Sequence, residues 1–283
     1  MVRSPACHVG GQGFESPTVR HITEAWRSPV YRSSLENCRP RNGSVSSNLT
    51  ASAILNSSVN HLLNLSFTKV RRINIDLGTQ CNLSCPGCQR THLVNIGKLV
   101  PAIMPVSTFA KIASEENNLE VITFSGALSD PIFSTSLFGC LEHVNTLPNR
   151  PTCVFSTNGS GRKTEWWERF SSLLVGRNEV GFAIDGLADT NPIYRVGSNF
   201  DSIINGITTL KKCFDINNEH KNSIVWRYVV FEHNYHQVKE AYHLAKSLGV
   251  DNFYLREADP RTPANMKLIS RKFIDIKNEI ESF

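Results

Sequence analysis

From Val70 onward the chain alternates between two hydrophobic periods. Short apolar runs, such as Leu119-Glu120-Val121-Ile122-Thr123-Phe124 and Val225-Trp226-Arg227-Tyr228-Val229-Val230-Phe231, predict strands over 72–78, 120–125, 152–157, 179–185, 224–231 and 251–256. Near-continuous apolar strands of this kind belong to a parallel sheet covered by helices. Between them the period lengthens. Ile203, Ile204, Ile207, Leu210 and Phe214 share one helical face. Trp167, Phe170, Leu173 and Leu174 share another. A third holds Val238, Ala241, Leu244, Ala245 and Leu248 and is closed by Gly249. A final helix is expected from Thr262, with Pro263 in its first turn, to Phe283. Six strand–helix units predict an α/β fold, a partial (β/α)6 barrel of the TIM type. In such barrels, chemistry sits at the C-terminal ends of the strands.

Residues 1–66 break this pattern. They are rich in Ser, Asn, Arg, Gly and Pro and show no sustained apolar period, which predicts a disordered extension ahead of a barrel spanning 67–283. The extension also explains the charge. The chain carries a net +5, and residues 1–70, with seven Lys/Arg against three Glu, hold +4 of it. The barrel itself is close to neutral, so no nucleic-acid partner is expected. No apolar run is long enough for a membrane span, and no secretory leader opens the chain. The eight cysteines are therefore read as residents of a reducing cytoplasm.

Three of those cysteines, Cys81, Cys85 and Cys88, lie in eight residues directly after the first predicted strand. Asn82, Ser84, Pro86 and Gly87 between them favour tight turns that aim three sulfurs at one place. Three chemistries suit the triad. His92 completes a Cys3His zinc set. A disulfide leaves one thiol over. An iron–sulfur cluster takes three thiolates and keeps one iron open.

The C-x3-C-x2-C spacing after a first strand resembles the signature of the radical S-adenosylmethionine (SAM) enzymes. Later strand ends carry further likenesses in the same order. Ser125-Gly126-Ala127-Leu128-Ser129-Asp130-Pro131 resembles the glycine-rich turn that holds the SAM amino group in that superfamily. Phe155-Ser156-Thr157-Asn158-Gly159 is similar to its third-strand ending. Ala183-Ile184-Asp185-Gly186 resembles a segment of the peptide-modifying branch that often bears an auxiliary-cluster (SPASM) domain. Arg195 stands where that branch places an arginine on the SAM carboxylate. Gly87 replaces an aromatic residue common there, and Ala183 replaces a serine.

The resemblance implies a 4Fe–4S cluster on Cys81, Cys85 and Cys88. It implies SAM contacts from Ser125, Gly126, Thr157, Asn158, Asp185 and Arg195, with Asp185 and Arg227 as candidate catalytic residues. It further implies an electron donor such as flavodoxin or ferredoxin, and hydrogen abstraction from a peptide or protein. A nucleoside or deazapurine precursor is the alternative substrate, and a non-catalytic Cys3His zinc protein the rival class. The last cysteine is Cys213, so a single cluster is expected. Arg256 and Glu257 end the sixth strand, either paired or lining the mouth. His233, His236 and His243 are read as loop and helix residues, and Cys140, Cys153 and Cys213 as packing.

Overall fold

The computed structural model describes residues 50–51, 70–259, 262–268 and 270–281. A single parallel sheet runs through it in sequence order, with each strand paired to the next. Its strands are β1 (Thr50–Ala51), β2 (Arg72–Ile75), β3 (Val121–Phe124), β4 (Thr152–Thr157), β5 (Glu179–Ala183), β6 (Ser223–Val230) and β7 (Asn252–Glu257). The helices are α1 (Gln89–Asn95), α2 (Val106–Ile112), α3 (Leu137–Thr146), α4 (Thr164–Ser172), α5 (Asn191–Tyr194), α6 (Phe200–Ile216), α7 (Val238–Ser247) and α8 (Ser270–Glu281). A sheet wound in one direction, with β7 unpaired to the first strand, is the expected α/β partial barrel. The six predicted strands all form. The extension read for residues 1–66 lies outside the described residues, apart from β1. That two-residue strand pairs with the outer edge of β2 through Thr50–Asn74 and Ala51–Ile75.

Alternation along each strand sends one set of side chains out to the helices and the other set inward. The outward set is the core. Ile122, Phe124, Phe155, Val180, Phe182, Ile224, Trp226 and Tyr228 are all fully buried. An aromatic row crosses this layer. Phe124 stacks on Phe155 at 5.0 Å, Phe155 meets Phe170 edge-on at 5.0 Å, and Trp167 lies 5.5 Å from Phe182. Each such ring contributes roughly 1.5–3 kcal/mol through burial. Gly206 in α6 admits the Trp167 ring, because a Cβ there would stand 2.8 Å from the indole. The predicted stripes on α4, α6 and α7 are thus spent on packing, as Trp167, Phe170, Ile203, Ile207, Leu210, Val238, Ala241 and Ala245 show.

The inward set is polar and only partly covered. Asn74, Thr123, Ser125, Ser156, Ala183 and Arg227 keep some contact with solvent, so the concave side of the sheet is open and wet.

One element differs from expectation. The final helix does not run unbroken from Thr262. A 3-10 turn at Ala264–Met266 is followed by extended backbone at Lys267, and α8 begins only at Ser270. The interruption is a tether: Glu232 N–H donates to Met266 O at 3.0 Å, and Lys267 bridges to Phe231 beyond the end of β6. Those backbone bonds outweigh the helical preference of a short exposed segment.

Candidate active site

The loop after β2 carries the three cysteines across the C-terminal edge of the sheet. Cys85 is buried, Cys81 and Cys88 are half-buried, and all three are free thiols. Cys88 caps the start of α1, and its amide donates to Cys85 O at 3.1 Å. The segments after three later strands, β3, β4 and β5, clamp this loop. Asp130 N–H donates to Gln80 O at 2.7 Å, and Ser84 N–H to Val196 O at 3.0 Å. Asn158 Nδ2 donates to Asn82 Oδ1 at 3.0 Å, and Asn82 Nδ2 reaches Ser160 O at 3.5 Å. Gly197, at φ 94°, closes the contact; a Cβ there would lie 3.3 Å from Asn82 O.

The sulfurs already act as acceptors. Cys81 Sγ receives Leu83 N–H at 3.4 Å and faces Asn158 Nδ2 at 3.8 Å. Burial pushes the Cys81 thiol up to about 11, despite the Leu83 amide, and pushes Cys85 up against the opposing pull of the Arg195 guanidinium. Thiols raised by burial and crowded on one loop stay protonated until a cation displaces the protons. Among the described residues, no three His, Cys, Asp or Glu side chains already form a cage around a single ion.

Asp185 and Arg195 form the second centre. Arg195 Nε donates to Asp185 Oδ2 at 2.6 Å, with the carboxylate fully buried and the guanidinium side chain 18% exposed. Asp185 Oδ1 also receives Val229 N–H at 2.8 Å, and its own amide donates to Asn191 Oδ1 at 2.8 Å. Burial works against the Arg195 charge, but Asp185 and Cys85 beside it hold the guanidinium above the ordinary arginine value. The Asp185 carboxylate is thus fully enclosed, held by Arg195 and the Val229 amide, and Arg195 lies between it and Cys85.

The remaining predicted residues are placed as follows. Ser125 Oγ donates to Asn74 Oδ1 at 2.5 Å across the inner face. Gly126 sits where a Cβ would stand 1.3 Å from Ser129 O, so the turn closes only around glycine. Thr157 is buried on the outer side, with its hydroxyl donating to Asp130 Oδ1 at 2.8 Å. Asn158 is a hub: besides Asn82 and Cys81 it donates through Nδ2 to Asp130 Oδ2 at 2.6 Å, while its Oδ1 receives Ser160 N–H at 2.8 Å. Both residues thus fix the loop framework. Arg227 lies lower on the inner face, paired to Glu179 at 2.6 Å. Arg256 and Glu257 point to opposite faces and do not pair; Glu257 instead receives Ser270 Oγ at 2.5 Å.

Two acids beneath this frame were not among the site residues read from the sequence, although Asp130 stands in the Ser125–Pro131 turn. Asp130 is buried, and accepts Thr157 Oγ, Asn158 N–H and Ile132 N–H; burial raises its pKa while those donors oppose the rise. Asp76 accepts Ala127 N–H at 3.1 Å and Ser129 Oγ at 3.0 Å, and so pins the glycine-rich turn to β2. Burial pushes Asp76 up to about 6, with the Ser129 hydroxyl pulling the other way. Its signal was the inward period Arg72, Asn74, Asp76, legible but ambiguous without the fold.

No family model matches the chain. Over 181 residues it is 24% identical to a pre-heme d1 synthase of Dinoroseobacter shibae, covering 64% of this chain and 41% of that protein. Similar solved structures share the fold at low identity. Streptococcus suis SuiB bound to S-adenosylmethionine matches with a TM-score of 0.59 and 13% identity, over 93% of this chain and 59% of SuiB. The enzyme anSMEcpe with bound AdoMet matches at TM-score 0.54 and 15% identity, over 75% of this chain and 60% of its own. A radical SAM methyltransferase from Sphaerobacter thermophilus matches at TM-score 0.54 and 13% identity, over 75% and 63%. The chain thus shares the α/β barrel fold of these solved structures. The chain spans less than half of the curated relative and about three-fifths of these structures.

Proposed function

We propose that this chain is the barrel of a radical SAM enzyme, with Cys81, Cys85 and Cys88 as the three protein ligands of a 4Fe–4S cluster. The observation that carries the reading is the free-thiol loop at the C-terminal edge of β2, clamped by the segments after three later strands, with the Arg195–Asp185 pair against Cys85. The donor set fits. Three thiols on one short loop are soft ligands suited to a cluster, and Cys81 already accepts two N–H groups of the kind that steady a ligating sulfur. A cluster held by Cys81, Cys85 and Cys88 would supply the one-electron reductive cleavage of the SAM C–S bond, with methionine released, and so the means to abstract a hydrogen atom from substrate.

The chain's own residues supply position and shelter. Ser125 and the Gly126 turn present backbone and hydroxyl groups at the end of β3 for the SAM amino group. Arg195, oriented by Asp185, offers its remaining guanidinium N–H groups to the SAM carboxylate. Asn158 and Asp130 hold the cysteine loop at a fixed height over the sheet, and the wet concave face below receives substrate. A loop of free thiols supports a reducing cytoplasm as its setting, with flavodoxin or ferredoxin as the electron donor. No described helix is long and apolar enough to cross a membrane.

A peptide or protein side chain is the first substrate reading. SuiB has been solved with its precursor peptide SuiA, and anSMEcpe with a Cp18Cys peptide, which supports this class. The likeness to a pre-heme d1 synthase favours a small-molecule substrate as the second reading. The test is anaerobic reconstitution followed by reduction with SAM present. About four irons per chain and release of 5′-deoxyadenosine are expected; a colourless, zinc-loaded protein that leaves SAM intact would favour the Cys3His alternative.

A further inference from the structure

The concave face of the sheet is divided chemically. Toward the C-terminal edge of β2–β4 its inward groups are amides, hydroxyls and the pinned Asp76, while Arg72, Val121 and Val154 lie nearer the other end. Over β6 and β7 they are cationic and aromatic. In β6, Trp226, Tyr228 and Val230 belong to the core, so Arg227 and Val229 face inward. In β7, Phe253 and Leu255 rest on the core, so Tyr254 and Arg256 face inward beside them. The register sets Arg227 opposite Tyr254, and Val229 opposite Arg256. The two arginines are therefore diagonal neighbours on one face, with Cα atoms about 7–8 Å apart.

Each is prepared differently. Arg227 lies flat on the bare backbone of Gly181, where a Cβ would stand 2.5 Å from its Cζ. Glu179 holds its Nη2 at 2.6 Å, and the side chain is 20% exposed. One edge of this guanidinium is thus fixed by Glu179, on the inner face of the sheet. Arg256 is exposed and has no hydrogen-bond or ion-pair partner among the described residues. Tyr254 stands 51% exposed, level with Arg227 and next to Arg256 along the strand. The acids of this half are already taken: Glu179 by Arg227, Asp185 by Arg195, and Glu257 by Ser270 on the other face. What is left over is one uncompensated guanidinium beside a flat, half-open phenol.

We propose that Arg256, seconded by Arg227, binds a carboxylate of the substrate, with Tyr254 as the platform for the carbon skeleton that bears it. The proposal rests on the radical SAM reading, because the contacts assigned there to SAM lie over β3–β5 and leave the β6–β7 side to the second reactant. A guanidinium fork matches a carboxylate bidentately, and a second guanidinium on the adjacent strand suits a substrate with two or more such groups. The carboxylates could belong to acidic side chains of a peptide or to a small polycarboxylic acid, and the chemistry at Arg256 is the same.

Calorimetric titration of the anaerobically reconstituted full chain, with SAM present, tests this. The probes are a hexaglutamate peptide, a hexaglutamine peptide and propane-1,2,3-tricarboxylate. At least one carboxylate probe is expected to bind and hexaglutamine to fail; tighter binding of the peptide points to a peptide source, and tighter binding of the tricarboxylate to a small molecule. Arg256→Gln, an exposed substitution that leaves the fold intact, is expected to weaken binding by at least about tenfold, and Arg256→Lys by less. SAM affinity is expected to stay within about twofold in both. Equal binding of the two peptides, no binding of either carboxylate probe, or an Arg256→Gln titration like that of the wild type overturns the proposal. Cluster content and 5′-deoxyadenosine release are read separately. Loss of those with Arg256-dependent binding intact would overturn the cofactor reading alone.

Discussion

Arg195 Nε and Asp185 Oδ2 meet at 2.6 Å between the end of β5 and the Cys85 thiol, so a single buried ion pair links the sheet to the cysteine loop. Asp185→Asn keeps an acceptor for Val229 N–H but removes the counter-charge from a largely buried guanidinium. Leaving such a charge unpaired costs about 2–4 kcal/mol. Urea unfolding is expected to show the midpoint falling with the slope unchanged. A wild-type midpoint would mean that Arg195 finds another partner.

Arg195→Lys asks a different question of the same pair. Lysine keeps the charge but not the fork, so SAM binding is expected to weaken by about 1–3 kcal/mol while iron content holds. Equilibrium dialysis with labelled SAM measures it directly.

Cys81→Ala, Cys85→Ala and Cys88→Ala are each expected to lose the cluster, because no other thiol lies on the loop to replace a ligand. His92→Ala is expected to keep iron near about four per chain. Iron analysis and the visible spectrum decide it, and iron loss in His92→Ala equal to that in the cysteine variants would point back to zinc.

Asp76 gives the pH prediction. Its folded value, about 6, lies above the ordinary 3.8 because burial disfavours the charge. Between those values the folded state holds more proton than the unfolded one, so stability falls as pH rises through that window. The loss is complete above about pH 6 and is at most about 3 kcal/mol. Asp76→Asn retains an oxygen for Ala127 N–H and Ser129 Oγ without the charge. It is expected to raise the unfolding midpoint at about pH 7 and to flatten its dependence between about pH 4 and 6. A steeper dependence in the variant would contradict the sign.

Gly126→Ala is expected to be worse than any exposed substitution on the same rim. Its Cβ would fall 1.3 Å from Ser129 O, a backbone atom that cannot turn aside. The turn must open and Asp76 lose its grip on Ala127, so SAM affinity should drop at least about tenfold. Affinity within twofold of wild type would show that this turn does not hold the cofactor.

The barrel was legible because its outward residues are apolar without interruption. Ile122, Phe124, Phe182 and Trp226 announce strands, and Ile203 to Phe214 announce a helix, from period alone. The cysteine loop was legible because ligand spacing is local. The pairings Asp185–Arg195, Asp130–Asn158 and Asp76–Ser129 were not. Each joins residues of different segments, and their meeting depends on the height at which each strand ends. The break before α8 was hidden for the same reason. Thr262 and Pro263 are sound helix-start residues, and only the tie from Glu232 to Met266 shows why no continuous helix follows.

The clamp on the cysteine loop has a consequence for how the protein is born. All three thiols leave the ribosome just after β2, yet their restraints arrive late: Asn158 after β4, and Arg195 and Val196 after β5. A sheet wound strictly in sequence order can add its units as they emerge. For the interval between β2 and α5, the nascent chain presents three bare sulfurs to oxidants and to whatever metal is nearest. On the proposed cluster reading, loading with iron then competes with synthesis, and slow translation across residues 89–195 would favour mis-metallated product even when every residue of the finished site is intact.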